Sequence, residues 1–500
     1  MRANICTLDT LIDKAPEDKI LYEMSFMNPK LDKKPTTDDL FYEANDYYVP
    51  RDQPYYAALK GYDRVMREMQ KWGMDLNPWF GDGEDTSLYD HTMLEGAAVG
   101  GSMAAMRLVL DAGGDMEDEI YERDGMALSA AVANGHENIV QLLLDKAAAV
   151  ELGERRGYSL EILAEALVKA AQLDTDGMIR LLLAEAAKSD DGGNGEKGFK
   201  PEVLSNALLK AAQSGREGVV RLLLDECGEL IKDDFDPTEP VLHAAVRSRN
   251  KEVVMMLLER GADVNQKDSY YESTPLIKAV GRGDYVLVDL LLEKGADFLV
   301  EDRKNDTALG LAARNGQECI VRLLLEEMER LENPVPFWDS AFMDAVRGGN
   351  AKIVRLLTGK GATVTEELVK NAVIEASRLG RTDILIYFSR NGADIRDCGC
   401  ALYNAVVGGH VKTVAFLLEN GADVHYKSPQ GKSLLDVALY GHPTTIVESL
   451  LDAGITVTED ETRKLAVRSV LRTRGWREKR DGTLQKPREI GNRPGQLLRE

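Results

Sequence analysis

The chain has 500 residues, of which 44% are hydrophobic and 29% charged, and it carries a net charge of −22 at neutral pH. No apolar run approaches the roughly 20 residues that a bilayer span requires, and the polar, acid-containing start does not read as a secretory leader. Five cysteines are odd in number and sparse, which points to free thiols in a reducing compartment and to a cytoplasmic, alternatively nuclear, protein.

Residues 1–51 differ from the rest of the chain. They are interrupted by Pro16, Pro29, Pro35 and Pro50 and turn aromatic near Tyr42, Tyr47 and Tyr48. They read as an N-terminal cap over the apolar edge of a stack, with a ligand-contacting arm as the alternative. From 52 to 457 one unit recurs. Its clearest copy runs from Thr274-Pro275-Leu276 to Gly295-Ala296-Asp297. Thr274 suits a helix N-cap and Pro275 the first helical position, so a short helix is predicted over 275–282. Gly283 breaks it and Asp284 can cap a second helix over 285–294. There Leu287, Val288, Leu290, Leu291 and Leu292 gather on one broad face. Gly295 stops that helix, and the Asp- and Asn-rich linker beyond it reads as a turn.

Inter-helix anchors fall at Gly61, Gly101, Gly135, Asp174, Gly215, Arg249, Gly283, Gly316, Gly349, Gly380, Gly409 and Gly441, 29 to 41 residues apart. A period near 33 marks a stacked solenoid, because one helix pair cannot bury its own apolar face. The units resemble ankyrin repeats. Leu242-His243-Ala244-Ala245 is similar to that family's Leu-His-x-Ala-Ala segment. Asn134-Gly135-His136 with Ile139-Val140-Gln141-Leu142-Leu143-Leu144, and Gly409-His410 with Val414 and Leu417-Leu418, are similar to its second half. The resemblance implies an all-α solenoid of about twelve helix-turn-helix units joined by short hairpin loops. Irregular units occupy about 146–240, and a Gly-rich insertion surrounds 190–195. It also implies that His136, His410 and His442 cap helices and that His243 braces a turn. Residues 458–500 read as a capping helix at 459–475 and a basic, disordered tail.

That tail, counted over 463–500, is net +8 and leaves −30 on the rest of the chain. So acidic a body is unsuited to general nucleic-acid binding, which requires phosphates to be neutralised. No catalytic motif emerges. His91 and His425 lack neighbours at metal-ligand spacing, Cys398-Gly399-Cys400 is not a zinc framework, and Gln430-Gly431-Lys432-Ser433 lacks the upstream glycine of a phosphate loop. No cofactor and no metal are expected.

Function in such a stack resides in what varies between units. In ankyrin-like proteins the hairpin tips and exposed first-helix positions line a concave groove. Mapped by resemblance, that groove acquires an arginine column, Arg247, Arg282, Arg314, Arg347 and Arg378, suited to carboxylate and phosphate ligands. Arginine is also a frequent filler there, pairing with an acid of the adjacent repeat. Hairpin aromatics add Tyr270, Tyr271 and Tyr426, with Tyr270-Tyr271 expected to be exposed and Phe337-Trp338 to pack. The expected function is a non-catalytic scaffold that binds a protein or peptide, acidic or phosphorylated, along the groove. The alternatives are an enzyme or small-molecule binder whose pocket is walled by the N-terminal region and the irregular units, and a regulatory protein whose basic tail occupies its own groove.

Overall fold

The structure is a computed structural model. It describes residues 57–71, 93–112, 125–149, 151–152, 155–188, 198–226, 240–330, 338–360, 365–395, 399–439, 443–456, 477–478 and 484–485. The expected cap at 1–51, the insertion at 190–195, the capping helix at 459–475, His91, His442, Cys398 and Phe337 lie outside the described residues.

The chain divides into two compact units, Met1–Tyr270 and Tyr271–Glu500. Described helices of the first are α1 (Asp63–Lys71), α2 (Met93–Gly100), α3 (Met103–Asp111), α4 (Met126–Ala133), α5 (Glu137–Ala148), α6 (Leu160–Ala170), α7 (Asp176–Ala186), α8 (Pro201–Ser214), α9 (Glu217–Glu226), α10 (Val241–Ser248) and α11 (Lys251–Glu259). Those of the second are α12 (Pro275–Gly281), α13 (Tyr285–Glu293), α14 (Ala308–Arg314), α15 (Glu318–Glu329), α16 (Trp338–Gly348), α17 (Ala351–Gly359), α18 (Glu366–Arg378), α19 (Thr382–Arg390), α20 (Gly399–Val407), α21 (Val411–Glu419), α22 (Leu434–Ala438) and α23 (Thr444–Asp452). Within each unit, first helices pack on first helices and second helices on second helices, as in α12 on α14 on α16 and α13 on α15 on α17. The all-α repeat architecture is therefore the one the periodicity implies.

The template unit shows why. The Thr274 hydroxyl accepts a hydrogen bond from the Ile277 amide and Pro275 opens α12, while Asp284 accepts from the Leu287 amide at the start of α13. Leu287, Val288 and Leu291 are buried, as is the small Ala279 that lets neighbouring first helices approach. The turn between the two helices needs a left-handed residue, supplied by Gly283 with φ 67°. Arg249 occupies the same place at φ 62°, where a side chain costs on the order of 1 kcal/mol relative to glycine.

The histidine expectation needs correction. His136 and His410 stand at helix N-caps but make no side-chain cap. Instead Nε2 of His136 donates to the Val99 carbonyl (3.0 Å), and Nε2 of His410 donates to that of Arg378 (2.9 Å). Gln317, Asn350 and Arg381 occupy the same position. Gln317 donates to Val280 O (2.8 Å), Asn350 to Ala313 O (2.9 Å), and Arg381 Nε to Arg347 O (3.1 Å). A helix end leaves its last carbonyls unpaired. Here α2, α12, α14, α16 and α18 each have a terminal carbonyl satisfied by a side chain of the following repeat, which ties register to stability. His243 does brace a turn: it is buried, and Nε2 donates to Gln266 O at 2.7 Å.

Two short antiparallel pairs depart from the helical pattern. β1 (Glu151–Leu152) pairs antiparallel with β2 (Arg155–Arg156) in the irregular region, with Gly153-Glu154 between them in the sequence. β3 (Arg477–Glu478) pairs with β4 (Leu484–Gln485) inside the tail that composition reads as disordered. Asp481-Gly482, a turn dipeptide, lies between them in the sequence.

Candidate partner-binding face

In the first unit, Arg247 is exposed on the last turn of α10, and Tyr270 is 68% exposed in the hairpin after α11. A furrow of about 560 Å³ runs between second helices α3 and α5, lined by Met103, Arg107, Gln141, Leu142 and Asp145 among others. It opens to solvent, and Gln141 donates to Asp145 along its wall (2.8 Å).

In the second unit, the hairpins at 271–274 and 299–307 are tied edge to edge. The Arg303 amide donates to the Tyr271 carbonyl at 2.8 Å, and the Arg303 guanidinium donates to Glu272 at 3.0 Å. Tyr271 is 45% exposed, and its ring carries Lys304 Nζ 5.2 Å from the centroid. Such a cation–π contact is worth about 0.5–1 kcal/mol at an exposed site. The exposed tyrosine pair expected from its polar neighbours is thus present, with a cationic flank that the sequence pattern does not announce. Tyr426 differs: it is half-buried and meets Tyr403 edge-on at 6.1 Å. Trp338 is half-buried at the start of α16.

The arginines separate into two groups. Arg282 is exposed at the C-terminus of α12. Arg314, Arg347 and Arg378 belong to a ladder of alternating charge. Arg314 donates two bonds to Asp306 of its own hairpin (2.6 and 3.2 Å) and two to Asp344 Oδ1 on the next first helix (2.9 and 3.2 Å). The same Asp344 oxygen accepts from Arg347 Nη1 at 3.0 Å. Arg347 Nε lies 3.6 Å from Glu375, which in turn receives both forks of Arg378 at 2.8 Å. The acids lie beneath the arginines: Asp344 is 4% exposed, whereas Arg378 is 53% exposed. Asp344 reaches its place because residue 310 is glycine, where a Cβ would stand 2.6 Å from Asp344 Oδ2.

Paired in this way, Arg314 has its pKa raised, first by the hydrogen bonds to Asp306 and despite burial. Glu375 is held below the ordinary carboxylate range, first by the hydrogen bond from Arg378 and then by its charge and that of Arg347. A carboxylate depressed in the folded state contributes stability that is present above its unfolded pKa and lost as pH falls through the folded value. Glu375→Gln is therefore expected to lose less stability than the parent as pH falls through and below the ordinary carboxylate range, by no more than about 1 kcal/mol, since the pair is partly solvated. Urea unfolding at stepped pH measures it, and identical acid slopes for both proteins would contradict it.

The acids of the ladder are only partly marked in the sequence. Asp344 and Arg347, and Glu375 and Arg378, are three residues apart on their helices, a spacing at which side chains meet. The contact from Asp306 to Arg314 crosses a hairpin and a cap and has no such local mark. Among the described residues, no cluster of three or more acids, histidines or cysteines could hold a metal, and no helix is long and apolar enough to cross a membrane.

The repeat sequence has counterparts among known proteins. The family model for ankyrin repeats (3 copies) matches residues 167–268, 242–335, 276–367 and 373–461. The chain belongs to the ankyrin-repeat family. Among solved structures it is similar to the ankyrin repeat domain of Bcl-3, a unique member of the IkappaB protein family. The identity is 26% over 40% of this chain and 84% of that one, with a TM-score of 0.30. No curated protein matches.

Proposed function

We propose that the chain is a non-catalytic interaction scaffold that takes an acidic segment of a partner protein, phosphorylated or not, along the first helices and hairpins of residues 271–456. Ankyrin repeats are generally protein-interaction modules, and the finer reading is carried by one observation. Exposed Tyr271 stands beside Lys304 and Arg303 at the hairpin edge, an aromatic and cationic combination of the kind that dominates interface energetics. The furrow between α3 and α5 is open rather than enclosed, and no observation favours a catalytic pocket.

The test is capture of partners from native extract by the full chain, quantified by mass spectrometry, with Tyr270→Ala and Tyr271→Ala made separately. Each is expected to lower recovery of the specific partners by about tenfold, the effect of truncating an aromatic anchor. Undiminished recovery with both variants would remove the hairpin from the binding face. Arg314 is unsuitable for charge reversal in this experiment, since a third acid would then face Asp306 and Asp344.

A further inference from the structure

The charge ladder is incomplete at one end. Its rule is an acid on a first helix followed three residues later by an arginine, with each acid serving the arginine of the preceding repeat as well as its own. Asp344 serves Arg314 and Arg347, and Glu375 serves Arg347 and Arg378. With Asp306 of its own hairpin beside Arg314, Arg314 and Arg347 have two carboxylates each. Arg378 has one, Glu375, among the described residues.

The next repeat keeps the backbone register but not the chemistry. His410 Nε2 donates to the Arg378 carbonyl (2.9 Å), and a Cβ at Gly408 would stand 2.9 Å from that same oxygen. Two repeats earlier, Asn350 donates to the Arg314 carbonyl (3.3 Å) and a Cβ at Gly348 would stand 2.2 Å from it. The two steps correspond residue for residue. Asn404, four residues before Gly408, thus takes the place that Asp344 takes beside Arg314, and Val407 takes the place of Arg347. Asn404 is half-buried, and its side-chain amide makes no hydrogen bond among the described residues, while Val407 is 44% exposed.

We propose that Arg378, Asn404 and Val407 form a subsite for a carboxylate of the partner peptide, which supplies the acid this chain lacks at 404. Glu375 holds the Arg378 guanidinium by Nε and one Nη, leaving donors on its other edge. The Asn404 amide adds a neutral donor, and Val407 offers an apolar surface to the methylenes of a glutamate. The charge favours this occupant: a second carboxylate completes the alternation seen at Arg314 and Arg347, whereas a cation would face Arg378 directly. Asp344 is the precedent within the fold for a carboxylate beside such an arginine. This inference rests on the acidic-peptide reading above and narrows it to one position.

The experiment is fluorescence anisotropy of labelled hexaglutamate against the full chain at low ionic strength, with hexaglutamine as the uncharged control. Hexaglutamate is expected to bind and hexaglutamine not. Asn404→Asp, which places the acid within the chain itself, and Arg378→Ala, which removes the donor, are each expected to weaken binding about tenfold, the worth of one charge-assisted hydrogen bond. Arg322→Ala, in an exposed pair with Glu318 on α15, serves as a control with unchanged affinity. The Asn404→Asp protein is also expected to melt at a higher temperature. Binding by Asn404→Asp as tight as by the parent overturns the subsite. Equal binding by all variants overturns it too while leaving an acidic-peptide face elsewhere on the chain, and failure of the parent to bind hexaglutamate overturns both.

Discussion

Replacing Arg314 with alanine is expected to destabilise the unit Tyr271–Glu500 by about 2–3 kcal/mol. Among the described residues the guanidinium is the one cation paired with Asp306, whose side chain is 12% exposed, and one of two paired with Asp344, at 4%. Removing one member of a buried ion pair typically costs about 3–5 kcal/mol, because the remaining charge stays desolvated and unpaired. Two features reduce that figure here: Arg314 is itself 36% exposed, and Asp344 retains Arg347. Arg378→Ala makes the contrast, since Glu375 is 19% exposed and keeps Arg347 nearby; its cost is expected to stay below about 1 kcal/mol. Urea unfolding of the full chain compares the two, and amide exchange should localise the Arg314→Ala effect to the hairpin at 299–307 and to α14 and α16. Equal losses for both variants would mean that burial of the acids does not grade the ladder.

The contrast explains what the sequence could and could not convey. Thr274, Pro275, Asp284 and Gly295 act on backbone groups within four residues of themselves, so caps and turns are legible from one chain. Tyr270 and Tyr271 are legible for a similar reason, being flanked by polar residues in a turn-rich segment. His136 and Asn350 are not: a local capping rule assigns each to its own helix, but the acceptor that wins is a carbonyl 37 residues earlier in both cases. The arginine column is visible as a set of positions, and its partners are visible only where an acid stands three residues away. Whether an exposed arginine is free or spent depends on the neighbouring repeat, and the period alone does not say which side chains of that repeat face it. Asn404 shows the converse. Once the geometry of one rung is known, the missing acid of the next can be read from the sequence by register.

That register depends on close backbone approach, and Gly348 is where the ladder lets it be tested. A Cβ at 348 would stand 2.2 Å from the Arg314 carbonyl oxygen and 2.5 Å from Asn350 Nδ2. The first obstacle is backbone, which cannot rotate away, so the last turn of α16 must move off α14. The movement also breaks the hydrogen bonds from Asn350 to Ala313 O and Arg314 O and leaves carbonyls at the end of α14 unpaired. Overpacking of this kind costs about 1–3 kcal/mol and loss of a buried hydrogen bond about 1 kcal/mol more, so Gly348→Ala is expected to destabilise by about 2–4 kcal/mol. Helix propensity alone gives the opposite sign, because alanine exceeds glycine by about 1 kcal/mol within a helix. Gly359 provides the matched control: it ends α17, is exposed, and has nothing within 4 Å of its Cβ position. There alanine is expected to raise stability by up to about 1 kcal/mol. Urea midpoints shifting in opposite directions for the two substitutions would identify inter-repeat approach, and not helix propensity, as what residue 348 serves. A stabilising Gly348→Ala would mean that α14 and α16 can separate without cost. The position of Arg347 against Asp344, one residue away, would then not be fixed by the backbone contact.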